Sequence, residues 1–208
     1  MSLSAALENG MFALAQVLRL PVMALLWVCI GVALLLAGAA AMDAVARRNE
    51  RRLFRLERWL NGGEVLAAGA ERVAELPLAL RRMLNDVQAL AARNALSDGG
   101  LEHALLEHEE RVRAGATAAR VLVRVGPSLG LIGTLIPMGT ALASLATGNL
   151  EAMSGQMIVA FTTTIIGIAS GTIAFVVLTL RQSWIGETVR EMRFIAERAA
   201  AELAAQPE

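Results

Sequence analysis

A chain of 208 residues that is 56% hydrophobic, with a mean hydropathy of +0.54, carries more apolar surface than a water-soluble domain of that size can hide, since such a domain buries only roughly 70% of its surface. Its 19 basic residues, all arginine, balance 19 acidic ones, so the net charge is zero and nothing in the composition points to a nucleic-acid partner. A bilayer absorbs such an excess when the apolar residues fall in uninterrupted runs of about 20.

Three such runs exist, residues 20–42, 125–150 and 152–180, and none contains a charged side chain. Each is long enough to cross a ~30 Å hydrocarbon layer at ~1.5 Å per residue. The expected class is an all-α integral membrane protein, with three transmembrane helices and long cytoplasmic helical extensions. In chain order the sequence predicts an N-terminal extracytoplasmic segment (1–19), a first transmembrane helix (20–42), a cytoplasmic helical domain (43–120) and a second transmembrane helix (121–146). An extracytoplasmic hairpin (147–156), a third transmembrane helix (157–180) and a cytoplasmic C-terminal helix (181–208) follow.

In the first span, the lone Cys29 reads as a small apolar packing residue with no disulfide or metal companion. The small residues at 37–41 would suit a signal-peptide cleavage site. The apolar run is longer than the ~7–15 residues of an h-region, however, and arginines follow at once, so a retained span is expected.

Those arginines also give the orientation. Arg47, Arg48, Arg51, Arg52, Arg55 and Arg58 follow the first span, Arg111, Arg113, Arg120 and Arg124 precede or open the second, and Arg181, Arg190, Arg193 and Arg198 follow the third. The N-terminal segment has only Arg19 and the hairpin has none. The positive-inside bias therefore predicts a cytoplasmic loop and C-terminus, with the N-terminus outside.

The long loop is rich in Arg, Glu, Ala and Leu and poor in β-branched residues, which predicts water-exposed helix. Asn61-Gly62-Gly63 and Ser97-Asp98-Gly99-Gly100 punctuate it into about three segments, and Pro77 should kink or restart the middle one. Within it, His103 and Glu107 share a helix face, with His108, Glu109 and Glu110 nearby. Because His103 and His108 diverge by about 140°, two histidine ligands do not meet, and a solvated acidic helix is the simpler reading. No metal site is expected. No phosphate loop, catalytic triad or nucleotide fingerprint appears, so neither catalysis nor a cofactor is expected. After the third span, Trp184, Val189, Phe194 and Ile195 are candidates for contacts with the other cytoplasmic helices.

The second span carries a stripe of small residues: Gly126 and Gly130 are followed by Thr134, Pro137 and Ala141 on roughly one face. The third repeats it with Ala160, Thr164, Gly167, Gly171 and Ala174. In lipid, where no hydrophobic force drives helices together, such stripes let backbones approach and mark a helix–helix seam. Pro127 and Pro137 free carbonyls that a lipid-facing position could not satisfy, so helices or water must lie near. Thr134 lies 13 residues before Thr147 and Thr164 lies 13 after Glu151, which in an antiparallel hairpin predicts one shared level. The spacing alone is equally compatible with hydroxyls that bond their own helix carbonyls. Thr162, Thr163 and Thr164 point about 100° apart, so at most two can line one surface.

Gly126-Pro127-Ser128-Leu129-Gly130-Leu131-Ile132-Gly133-Thr134-Leu135 resembles the signature of ExbB and TolQ subunits in the MotA/TolQ/ExbB family of ion-driven motor proteins. Thr163-Thr164-Ile165-Ile166-Gly167-Ile168 looks like the Thr-x-x-Gly segment of that family's third span. The resemblance runs residue by residue from Gly126 to about Arg181, and elsewhere only in architecture. It implies a homopentamer in the bacterial inner membrane whose second and third spans surround a pore occupied by single helices of an ExbD, TolR or MotB-like partner. Thr134 and Thr164 would correspond to the family's pore threonines, with Thr163 a further candidate for the ion pathway. Gly126, Gly130, Gly133, Pro137, Gly167 and Gly171 would pack the helices.

Two positions depart from the pattern. Val159 stands where many ExbB-like members carry an acidic residue, and Pro137 where glycine is common. The charge-free spans hold no carboxylate or histidine, so an intramembrane titratable group would have to come from the partner. The function that the resemblance implies is a proton-type ion-channel subunit that couples ion flow to work in the cell envelope. The competing expectation is a non-conducting oligomeric scaffold or signalling subunit in which the glycine stripes only drive assembly.

Overall fold

The computed structural model describes residues 3–53, 59–92 and 98–205. Among them every element of regular structure is helical: α1 (Leu3–Leu53), α2 (Ala70–Ala74), α3 (Leu78–Ala92), α4 (Asp98–Ala114), α5 (Thr117–Ala146) and α6 (Leu150–Ala205). Three stretches, Gly10–Arg48, Gly100–Ala146 and Leu150–Glu202, are long and apolar enough to cross a membrane. This is the all-α membrane fold with three crossing helices that the apolar runs predict.

Helix boundaries follow local chemistry. Between α5 and α6 the chain reverses within residues 147–149, and residues 150–156, read from sequence as hairpin, are already helical. Gly148 adopts φ +73°, a left-handed conformation that favours glycine. Its amide donates to the Leu145 carbonyl at 3.0 Å and that of Asn149 to Ser144 at 2.9 Å, the paired bonds of a glycine-terminated helix end. Asn149 then caps α6 through its Oδ1, which accepts from the Ala152 amide at 3.0 Å. Pro77 restarts the chain as its pattern predicts: α2 ends at Ala74, and the Pro77 carbonyl accepts the first bond of α3 from Arg81 at 2.9 Å. Ser97 lies outside the described residues, while Asp98 opens α4 and places Gly99 and Gly100 in its first turn rather than in a loop.

The chain forms two compact units. The first, Met1–Ala39 with Ala118–Leu178, holds most of the apolar helix. One face of α1, Val22, Leu26, Cys29 and Ala33, is buried. Cys29 and Ala33 pack with Leu122 of α5 and Ala174 of α6. The outward faces are apolar as well: Trp27, Leu34 and Leu35 on α1, Leu131, Leu135 and Leu142 on α5, and Ile158, Phe161 and Ile165 on α6 are all exposed. An apolar exterior is the surface that hydrocarbon, not water, solvates.

The second unit, Ala40–Thr117 with Thr179–Glu208, is built like a soluble domain. Leu76, Leu80, Met83, Leu84 and Val87 pack with Met192, Ile195 and Ala199 in a buried cluster. Polar side chains pin the long turn before α2. Trp59 Nε1 donates to the Arg72 carbonyl at 2.8 Å, the Arg72 guanidinium lies 4.6 Å from the Trp59 ring centre, and Gln88 donates to the Leu66 and Ala68 carbonyls. The Glu202 carboxylate accepts from the Val65 and Leu66 amides at 2.8 and 3.0 Å. Arg181 donates to the Gly115 carbonyl and approaches Asp43 at 3.5 Å, and Arg47 lies 5.5 Å from the Trp184 ring. Of the four residues expected to make contacts beyond the third span, Val189 and Ile195 are buried and Trp184 is half-buried. Phe194 instead is 52% exposed, because α6 turns its other side to the core.

Candidate ion pathway

The small-residue stripes of α5 and α6 meet. A Cβ placed on Gly126 would stand 2.7 Å from Ser170 Oγ and 3.1 Å from the Gly167 carbonyl oxygen. On Gly130 it would stand 3.1 Å from Gly167 Cα, and on Gly133 2.9 Å from Thr163 Cβ. From the other side, a Cβ on Gly167 would lie 2.6 Å from Gly130 Cα, and one on Gly171 2.7 Å from the Pro127 ring. Pro137 is fully buried. Gly126, Gly130, Gly133, Gly167 and Gly171 thus stand where the two helices approach most closely, and Pro137 lies one turn beyond Gly133 in the chain. Backbone touches backbone there, which in lipid is the main source of helix association.

The three candidate threonines divide. Thr163 is 6% exposed, faces Gly133 inside the seam and donates its hydroxyl to the Ala160 carbonyl at 2.8 Å. Thr134 and Thr164 are half-buried beside the seam. Gly130 faces Thr163 to Gly167 and Gly133 faces Thr163, so these two threonines stand within about one helical turn, ~5.4 Å, of a common level. The Thr134 hydroxyl donates to the Leu131 carbonyl at 2.6 Å, whereas that of Thr164 has no partner among the described residues. Thr162 is exposed on a third side and bonds Ile158.

Ser170 is a seam residue that the stripe reading passed over. It is completely buried, sits three residues after Gly167 and four before Ala174, and donates to the Gly167 carbonyl at 2.9 Å. Its spacing was the signal. Leu26 of α1, whose Cδ1 comes within 3.3 Å of the Gly133 Cβ position, had no such signal, because only the tertiary fold brings it there.

The chemistry available is limited by residue type. Hydroxyls can accept and donate hydrogen bonds to water or an ion, but they do not carry a proton as a charge near neutral pH. Residues 125–150 and 152–180 contain no Asp, Glu or His. Carboxylates with built surroundings occur in the second unit. Glu109, 4% exposed, accepts from Arg193 at 2.7 and 3.1 Å and has Arg113 at 3.5 Å. The hydrogen bonds from Arg193 outweigh burial and hold the carboxyl below its ordinary value; the same pair raises Arg193. His108 is buried and meets Asp86 at 2.9 Å, while Glu107 pairs with Arg111 at 2.6 Å. The His103/Glu107 face therefore does not converge, and no group of three or more metal-ligating side chains occurs among the described residues.

A search of curated proteins finds no match to this chain. The family model of the MotA/TolQ/ExbB proton channel family matches residues 73–193, which takes in α3, α4, both helices of the glycine seam and most of the charged extension of α6. More than half of the sequence is thereby accounted for, with the seam and its threonines inside the matched region. The chain belongs to the MotA/TolQ/ExbB proton channel family and is a proton-channel-type membrane subunit.

Proposed function

We propose that this chain is the ExbB/TolQ-like subunit of an inner-membrane motor that couples ion flow, of protons by family, to work in the cell envelope. Five copies would surround single helices of an ExbD, TolR or MotB-like subunit, with α5 and α6 facing the pore. Thr134 and Thr164 would line the ion path, while Thr163 packs the seam. The arginine bias supports a cytoplasmic second unit and C-terminus, with the N-terminus outside.

The observation that carries this reading is the pairing of two half-buried hydroxyls beside the seam with spans that hold no carboxylate or histidine. A proton crossing a membrane normally needs an ionisable group. In this reading the partner's helix supplies it as an aspartate, and Val159, half-buried on α6, supplies none.

The test is ion flux into liposomes that hold this protein and its candidate one-span partner. Thr134→Val and Thr164→Val keep side-chain shape and remove the polar group. Flux lost in complexes of normal mass supports the channel reading. Flux unchanged in both variants ends the role given to the threonines.

One observation favours the scaffold reading: the Thr134 hydroxyl is already satisfied within its own helix. Under that reading a verified complex carries no flux at all, while a control channel in the same vesicles does.

A further inference from the structure

The second unit carries a groove and a knob on adjacent sides of α6. The groove, about 380 Å³, lies between α4 and α6. Leu101, Leu105, Leu106 and Ala200 give it apolar walls, and Glu102 and Glu197 stand at its edges. Leu106 is 49% exposed, both edge carboxylates are exposed, and Glu197 also acts on the Arg193 charge of its own helix. Glu109 and Arg193 close the groove with charges that already satisfy each other.

The knob is Phe194 with Arg190 and Arg198, four residues before and after it, on one exposed stripe of α6. Arg190 donates to the Gly186 carbonyl of its own helix, and both arginines are exposed. An aromatic ring half in water between two exposed arginines has the composition of an interface centre. The groove offers the complement: apolar walls for the ring and two exposed carboxylates for the guanidinium groups.

We infer that the groove receives Phe194 of a second copy of this chain, with that copy's Arg190 and Arg198 facing Glu102 and Glu197. The two faces lie about 110° apart around α6 at ~3.6 residues per turn. One copy therefore offers its knob and its groove to different neighbours, a head-to-tail contact of the kind that builds rings and not twofold dimers. The inference rests on the oligomeric reading of the channel subunit and adds to it the surface by which the charged units lock in order around the ring.

The experiment joins two singly substituted full-length chains with different tags, Phe194→Cys and Leu106→Cys, each also carrying Cys29→Ser, co-expressed with the partner and oxidised in membranes. The expected result is a disulfide-linked heterodimer that each chain alone fails to give. Arg190→Glu with Arg198→Glu in the Phe194→Cys chain should lower its yield severalfold, and Glu102→Arg with Glu197→Arg in the Leu106→Cys chain should restore it. Particle mass of the purified complex is read in parallel. Oligomers of normal mass without the heterodimer overturn the knob-and-groove contact and leave the channel reading intact. Monomeric particles overturn both, and a disulfide from Leu106→Cys to a different protein assigns the groove to another occupant and overturns the inference.

Discussion

Gly167 and Gly130 face each other so closely that a Cβ on Gly167 would lie 2.6 Å from the Gly130 Cα and 2.8 Å from the Gly126 carbonyl oxygen. The obstacle on each side is backbone, so no side-chain rotation relieves it. The α5–α6 seam can adopt this spacing only because both positions lack a side chain, and the two helices would have to separate along their length to admit one.

Gly167→Ala is expected to weaken the first unit by about 1–3 kcal/mol, the cost of overpacking a close contact. Gly155→Ala, where nothing lies within 4 Å, is the matched control and should be neutral or slightly stabilising through helix propensity. Thermal unfolding in detergent distinguishes them, and equal midpoints for the two variants would remove the seam from the account of assembly.

Thr163→Val should part company with the other two threonine variants. Its hydroxyl serves Ala160 of its own helix inside the seam, so the loss is structural, about 1 kcal/mol, with ion flux retained in complexes of normal mass. Flux abolished by Thr163→Val in a well-assembled complex would place the ion path inside the seam.

Glu109 makes stability pH-dependent with a definite sign. Its carboxyl is held below the ordinary 4.5 by the hydrogen bonds from Arg193, so the contribution is fully present above that value and is lost as pH falls through the lowered one. Glu109→Gln should cost roughly 1.5–3 kcal/mol at neutral pH, the range for hydrogen bonds to a charged group. The gap between native and variant melting temperatures should shrink steadily as the solution is acidified below pH ~4.5. A gap that stays constant to pH 3 would contradict the pairing.

Glu202 holds the turn near Trp59 from the far end of the chain. Glu202→Ala frees the amides of Val65 and Leu66, and hydrogen exchange at these two residues should accelerate well beyond that of the α3 core at Leu80 and Leu84. Exchange unchanged at both amides would show that the carboxylate is dispensable there.

The apolar runs determined the three spans by themselves, because a bilayer imposes length and apolarity locally and each helix satisfies its own backbone bonds. The glycine stripes at Gly126–Gly133 and Gly167–Gly171 point to close helix approach for the same local reason: small residues at helical spacing let backbones meet in lipid. Pro77 marked the start of α3, since a residue without an amide proton disturbs a helix wherever it stands.

What the tertiary structure alone decided was which side chains share a surface across long separations in sequence. Spacing put Thr164 on the small-residue stripe, whereas Thr163 is the one turned into the seam against Gly133, because neighbouring residues on a helix differ only in direction and the direction has meaning only once the other helices stand in place. Likewise, Phe194 had the look of a core residue until α6 turned Met192 and Ile195 inward and left the ring outside. Glu109 met Arg193 and Glu202 met Val65 across loops that no local pattern encodes. Local periodicity fixes which elements form, while the choice of partner depends on how the helices rotate to satisfy all their contacts together.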